Sequence, residues 1–357
     1  MNDPFLPGLL DRLPETPQKV VLVRASRIGD FVCATPAFRA LRQALPQAEI
    51  SLIAMPFVAE LVARSPYLDR LIPFPGFPGM AEQFFAADRT LDFFHQMQAE
   101  NFDLAIQMHG SGVYANPLTL MLGAQKTTGF IRPGDTAGCL DAALAMPENL
   151  HEIRRVLALI NFLGVPSRGE QLEFPLELAD HHVAESLLAQ LKLPLIGLHP
   201  AAGDMNKQWS TDRFIQVGRA LQQQCQGTVV VVGNQESWQL ADQVTQGIGQ
   251  GAVNLAGKTS LPVLGAVLDR LSVLITNDSG PAHIAYARQI PTVTLFGHTD
   301  PLTWGALHST LQSRHRHLIA VTPTHQSVNL DSITVAQVLE SAMSILFLNQ
   351  GCLRSTS

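Results

Sequence analysis

No stretch of this 357-residue chain is apolar for long enough to cross a bilayer, although 46% of its residues are hydrophobic and the mean hydropathy is slightly positive at +0.14. The start, Met1-Asn2-Asp3-Pro4-Phe5, has no basic cluster leading into an apolar core, so a secretory signal is not expected. Cysteine is scarce. Cys33, Cys139, Cys225 and Cys352 stand far apart, with neither metal-binding nor redox spacing, and read as isolated thiols in a reducing cytosol. Charged residues make up only 15%, and a net charge of −6 argues against general binding of nucleic acid. The acidic excess falls in residues 1–185, which makes the second half the better host for an anionic ligand.

Two fingerprints are also missing. There is no GxGxxG and no GxxxxGK[ST], which disfavours a nicotinamide enzyme and a P-loop NTPase. No DxD pair lies near the motifs described below, and no His/Asp/Cys set has ligand spacing, so no tightly held metal is expected. Asp180-His181-His182 and Arg314-His315-Arg316-His317 read as solvated local features.

What is present is alternation. The length exceeds that of one ordinary core and points to two domains. Lys19 to Arg24 is a β-branched strand, followed by a helix from Phe31 to Leu45. Strands at 49–54, 71–74 and 103–108 and helices at 58–64, 91–100 and 152–163 continue the pattern. A proline-, glycine- and charge-rich stretch over 166–180 is the expected connection. Alternation then restarts, with strands at 195–198, 228–232, 253–255, 271–276 and 292–296. Helices are expected at 211–224, capped by Ser210, at 261–270, from Ile284, and at 334–346, with fraying beyond Gly351. The pattern predicts doubly wound parallel sheets in two domains, 1–175 and 176–357, with ligands at the carboxyl ends of the strands. The final helix is a candidate to pack back on the first domain.

Several strand ends carry chemistry. Asp278-Ser279-Gly280-Pro281 leads from a buried strand into a helix, whose first N–H groups and positive dipole end suit an anion. Gly280 permits close approach, and Pro281 fits an early helical position. Asp30 and His109 end strands of the first half. His199-Pro200-Ala201-Ala202-Gly203, with Lys207 and Trp209, ends a strand of the second.

Arg24-Ala25-Ser26-Arg27-Ile28-Gly29-Asp30, Ala34-Thr35-Pro36-Ala37, His199 to Gly203 with Lys207, Leu255 to Leu261, Asp278 to His283 and Leu295 to Pro301 together resemble glycosyltransferase family 9, the ADP-heptose:lipopolysaccharide heptosyltransferase family. The resemblance runs from Val20 to about Pro301. It implies a GT-B fold, two Rossmann-like domains facing a cleft, with the acceptor on the first domain and the nucleotide sugar on the second. It also implies transfer with inversion.

Asp30 matches the family's base and Lys207 a lysine on the donor phosphates. Backbone contacts at Ala202 and Gly203, the turn at Ser279 and Gly280, and Asp278 facing the sugar hydroxyls complete the donor side. The loops at Gly233 to Glu236 and at Thr259 would hold the nucleoside, and His283 either holds the loop or touches the ligand. On the acceptor side Arg24 and Ser26 fix the Asp30 loop or contact acceptor. His109, Arg64 and Arg132 are further candidates for an anionic acceptor.

The resemblance implies a nucleotide-sugar donor, with ADP-heptose foremost, and no tightly bound cofactor. The acceptor would be a lipid-linked glycan, reached by a cytoplasmic protein in transient contact with the inner membrane surface. His109-Gly110-Ser111-Gly112 departs from the Gln-Gly frequent in heptosyltransferases. That keeps a rhamnosyl or other hexosyl transferase open, and beside it a non-catalytic nucleotide-sugar-binding protein.

Overall fold

The computed structural model describes residues 3–307, 314–320 and 330–354. The chain divides into two compact units, Met1–Pro175 and Leu176–Ser357. The first contains β1 (Lys19–Val23), α1 (Ile28–Ala44), β2 (Glu49–Ala54), α2 (Ala59–Arg64), β3 (Arg70–Pro73), α3 (Ala87–Glu100), β4 (Leu104–Gln107), α4 (Ala115–Met121), β5 (Lys126–Ile131), β6 (Ala142–Ala145) and α5 (Glu152–Phe162). Its sheet runs β3-β2-β1-β4-β5-β6, and every neighbouring pair is parallel. Such strands are covered on both faces, which is why β1 is apolar from Val20 to Val23 and β4 from Leu104 to Ile106.

The second unit contains α6 (Leu178–Leu188), β7 (Leu195–His199), α7 (Thr211–Cys225), β8 (Thr228–Val231), α8 (Trp238–Ile248), β9 (Ala252–Asn254) and α9 (Leu261–Leu268). It continues with β10 (Val273–Asn277), α10 (Gly280–Ala287), β11 (Thr292–Phe296), α11 (Pro301–Trp304), β12 (His315–Ile319) and α12 (Val335–Arg354). Its parallel sheet runs β12-β11-β10-β7-β8-β9. Counted from each unit's first strand, both sheets have the order 3-2-1-4-5-6. The direction of winding therefore reverses between β1 and β4 in one unit and between β7 and β10 in the other. Loops diverge there and leave a crevice beyond the carboxyl ends.

Several expectations are corrected. Helix α1 begins at Ile28, three residues before the predicted start, so Asp30 lies inside its first turn. Pro36 sits within that helix and supplies no N–H for the carbonyl of Val32. The Thr35 hydroxyl donates to that carbonyl instead, at 2.8 Å. Ser210 takes the N-cap position of α7 but makes no side-chain cap bond. Arg314-His315-Arg316-His317 is not a solvated feature. His315 opens the edge strand β12 and is buried, its Nδ1 2.8 Å from Thr292 Oγ1. Asp180-His181-His182 lies on α6, where buried Asp180 accepts from the Glu177 N–H at 2.8 Å. Val338, Ala342, Ile345 and Leu346 of α12 belong to the second unit's own core, beside Trp209 and Phe214. Helix α12 runs to Arg354, past the expected fraying point at Gly351, and 355–357 lie outside the described residues.

Candidate active site

At the first switch point the loop after β1 enters α1. Arg27 is the N-cap, and Asp30 is the third helical residue. Its Oδ2 accepts from the Arg27 N–H at 3.3 Å, closing the helix start. The positive end of the helix dipole favours the ionised carboxylate there. Its side chain keeps 23% of its surface exposed, so a substrate hydroxyl can reach it.

Beneath it lies Arg24, whose side chain is only 2% exposed. Its Nε donates to the Asp30 carbonyl at 2.9 Å, its Nη1 donates to the Met108 carbonyl, and its Nη2 stands 3.4 Å from Asp30 Oδ1. The stronger partner is Glu152, at 2.7 Å from Nη2. Glu152 is the first residue of α5, and its second oxygen accepts from Arg155 at 2.5 Å. Burial pushes the Arg24 pKa down, but Glu152 and Asp30 more than offset this, so the guanidinium is held more firmly charged than usual. Sequence reasoning did not find Glu152. Its trace was a glutamate opening an amphipathic helix, a place that normally reads as dipole compensation.

Ser26 and His109, from the ends of β1 and β4, also meet: Oγ and Nδ1 are 2.8 Å apart. Burial is the main cause that lowers the His109 pKa, so the ring is neutral at pH 7. Arg64 is half-buried at the end of α2, and exposed Arg132 pairs with Asp135 of its own loop at 2.9 Å. A hollow of about 640 Å³ lined by Arg42, Glu49, Asp69 and Arg70 opens at the opposite, amino-terminal edge of the sheet. Its arginines are bonded to Ala48 O, Asp69, Glu49 and Glu100, so it is a structural charge network.

At the second switch point, β7 leads to the loop of Ala202, Gly203 and Lys207, and β10 leads to Asp278, Ser279 and Gly280. Buried Asn277 braces the two loops. It accepts from the Trp209 N–H at 3.1 Å and donates to the Pro200 carbonyl at 2.8 Å. Lys207 Nζ lies 2.8 Å from Asp278 Oδ2, which also accepts from Thr299 at 2.7 Å. The Asp278 side chain is 3% exposed and that of Lys207 is 22% exposed. The carboxylate therefore holds the ammonium from below and leaves its other protons for a ligand. This pairing was not expected, because Asp278 was assigned to sugar hydroxyls alone.

Ser279 is the N-cap of α10 but makes no cap bond. Its hydroxyl lies 3.1 Å from His199 Nδ1 and donates to the Asn277 carbonyl at 3.1 Å. The turn thus uses that hydroxyl internally, and Gly280 is the helix's first residue, with Pro281 next. Burial lowers the His199 pKa to about 4, so its ring is neutral. His283 is buried, 3.9 Å from Asp278 Oδ1, with its ring edge-on to Tyr286 and Trp304. That environment braces the loop from within.

The remaining candidates lie beyond β8 and β9. Gly257 donates to the Gly233 carbonyl at 3.0 Å and ties the two loops together. A Cβ on Gly233 would stand 2.3 Å from Ser237 Oγ. Glu236 is exposed and Thr259 half-buried on this rim.

Two doubly wound parallel sheets, each with polar and charged side chains gathered at its switch-point edge, are the architecture of the GT-B fold. Residues 90–327 match the family model for glycosyltransferase family 9 (heptosyltransferase). Lipopolysaccharide heptosyltransferase 3 of Escherichia coli (strain K12) is 26% identical over 283 residues, covering 77% of this chain and 81% of that protein. The crystal structure of the glycosyl transferase family 9 from Veillonella parvula DSM 2008 aligns with a TM-score of 0.77 at 21% identity, over 92% of this chain and 97% of that one. E. coli heptosyltransferase WaaC with ADP aligns with a TM-score of 0.67 at 19% identity, over 92% and 99%. The chain belongs to glycosyltransferase family 9 and is a glycosyltransferase.

Proposed function

We propose that this enzyme moves heptose, or a closely related sugar, from an ADP-sugar to a lipopolysaccharide core or related surface-glycan acceptor, with inversion at the anomeric carbon. The observation that carries the reading is the division of chemistry between the two switch points. A held but accessible carboxylate, Asp30, stands at one, and a buried carboxylate with a partly exposed ammonium, Asp278 and Lys207, stands at the other. The curated relative named above, a lipopolysaccharide heptosyltransferase, and the structural neighbour that holds ADP support the choice of donor and acceptor.

In this reading Asp30 takes the proton of the acceptor hydroxyl as that oxygen attacks the anomeric carbon. A carboxylate of ordinary basicity suffices, because the hydroxyl turns acidic only in the transition state. The bond to the diphosphate breaks on the opposite face. Lys207 and the first N–H of α10 stabilise the negative charge that develops on the leaving group. Asp278 orients Lys207 and receives sugar hydroxyls. Gly233, Glu236 and Thr259 line the nucleoside end, with Ala202 and Gly203 giving backbone contacts to the phosphates. Arg64 and Arg132 are candidate contacts for acceptor anions. No helix among the described residues is long and apolar enough to cross a membrane. Phe84, 87% exposed, and its neighbour Phe85 follow the Pro75–Gly79 loop on the first unit, and they support weak, transient contact with the inner membrane surface, where a lipid-linked acceptor resides.

The test is a thermal-shift screen of ADP-heptose, other ADP-sugars, UDP-sugars and dTDP-sugars, followed by turnover on a lipopolysaccharide-core acceptor. Saturation at 100 times Kd should stabilise by about 2.7 kcal/mol. Stabilisation by an ADP-sugar and transfer by the wild type are expected, and Asp30→Ala should abolish transfer while donor binding persists. Stabilisation only by a UDP- or dTDP-sugar would redirect the reading to a hexosyl or rhamnosyl donor. No stabilisation by any nucleotide sugar would overturn it.

A further inference from the structure

The loop after β3 brings Glu82 to the other side of His109. Glu82 Oε1 lies 3.6 Å from His109 Nε2, and its Oε2 is buried without a hydrogen-bond partner. Ser26 and His109 thus stand at the carboxyl ends of the adjacent strands β1 and β4, Glu82 completes the row from the loop that follows β3, and Ser26 lies four residues ahead of Asp30. The His109 backbone is fixed as well. Gln107 Nε2 donates to the His109 carbonyl, while Gln107 Oε1 accepts from the Phe130 N–H at 2.9 Å.

We propose that this row reads a neutral hydroxyl of the acceptor sugar next to the attacking one, with Ser26 as the contact and His109 and Glu82 as positioning residues. The inference rests on the transfer reading above and deepens its acceptor side. The carboxylate beside Nε2 favours the tautomer that carries its proton there, which leaves Nδ1 bare. Ser26 must then donate to Nδ1, and its oxygen has only lone pairs to offer outward. A sugar hydroxyl can donate to them. A phosphate or carboxylate oxygen cannot, because no outward proton remains. The row therefore orients the ring of the acceptor by one hydroxyl and delivers the neighbouring hydroxyl to Asp30.

Protonation of His109 would reverse the direction of the bond. The ring would donate to Ser26, and the hydroxyl proton would turn outward. The charged groups that act on the ring are Glu82 from the loop after β3, Arg24 from the end of β1 and Glu152 from α5. The two acids favour the proton, while Arg24 and burial oppose it, and burial is the largest influence. The change falls below pH 6.5, and acceptor KM should rise there while donor affinity holds.

The experiment measures acceptor KM, kcat and donor binding with an O-deacylated inner-core lipopolysaccharide probe for wild type, Ser26→Ala, His109→Leu and His109→Asn. Asparagine returns an acceptor atom near the Nδ1 position without a titrating ring. Ser26→Ala and His109→Leu should raise acceptor KM roughly 3- to 10-fold with donor binding unchanged. His109→Asn should recover most of the loss and lack the rise in KM below pH 6.5. Imidazole 15N signals should assign the proton to Nε2 in the wild type, a readout that needs no turnover. Failure of the wild type to transfer any sugar, with donor binding intact, would remove the transfer reading and this inference with it. Wild-type transfer with acceptor KM unchanged in Ser26→Ala and His109→Leu, or a proton on Nδ1, would overturn the inference alone.

Discussion

Glu152→Ala should unfold the first unit at a markedly lower temperature, although Glu152 itself makes no contact assigned to substrate. The residue holds two arginines. Arg24, almost wholly buried, keeps its best carboxylate at 2.7 Å, and Arg155 lies at 2.5 Å from the other oxygen. Without Glu152, Arg24 retains two carbonyls and a carboxylate oxygen at 3.4 Å. Removing one partner of a buried pair costs about 3–5 kcal/mol, because the other charge stays desolvated. For a unit of this size each kcal/mol corresponds to about 2–4 °C, so a fall of roughly 6–20 °C is expected. Far-UV circular dichroism is the proper probe. The tryptophans, Trp209, Trp238 and Trp304, all belong to the second unit, so fluorescence alone would miss a change confined to the first. A companion variant, Arg24→Met with Glu152→Leu, removes both charges and should recover most of the stability. Arg155 would still donate to the carbonyl of Pro147 at 2.9 Å. The double variant should nevertheless transfer sugar poorly, since the Asp30 loop loses its guanidinium anchor. A fall of under about 2 °C for the single variant, or a double variant no more stable than the single one, would refute the account.

Three further outcomes are expected. Lys207→Met leaves the buried Asp278 carboxylate with Thr299 and His283 nearby; donor affinity should fall at least tenfold and stability by about 3 kcal/mol, read by calorimetry of the donor titration and by urea unfolding. His199 stays neutral in the fold down to about pH 4, while the unfolded chain takes up the proton near pH 6.5. Its contribution is therefore present above pH 6.5 and lost as pH falls toward 4, roughly 3 kcal/mol in all, and His199→Gln should flatten that part of the stability curve. Gly233→Ala should weaken donor binding by displacing Ser237, and adding Ser237→Ala should recover it, since the new methyl collides with that hydroxyl.

The alternation of apolar strands and amphipathic helices was legible because period and length are local properties of a chain. It predicted two doubly wound halves, and β11 lies where it was expected, at Thr292–Phe296. The motif residues were legible as well, since strand-to-helix turns must end in small, polar or charged side chains. Strands β5, β6 and β12 were missed. Short strands such as Ala142–Ala145 carry little intrinsic preference, and only a neighbour's hydrogen bonds make them strands.

Partnership was not legible. Arg24 could be read as touching acceptor, and only the fold brings Glu152 to it from 128 residues away. Asp278 and Lys207 were assigned separately, and packing joins them across 71 residues. His109 looked like one more strand-end histidine until Ser26 and Glu82 appeared on either side of its ring. Local sequence decides where a chain turns and which side chains stand at the turn. Burial and charge then force those side chains to find partners, and which partners they find depends on contacts between segments far apart along the chain, so only the tertiary structure decides it.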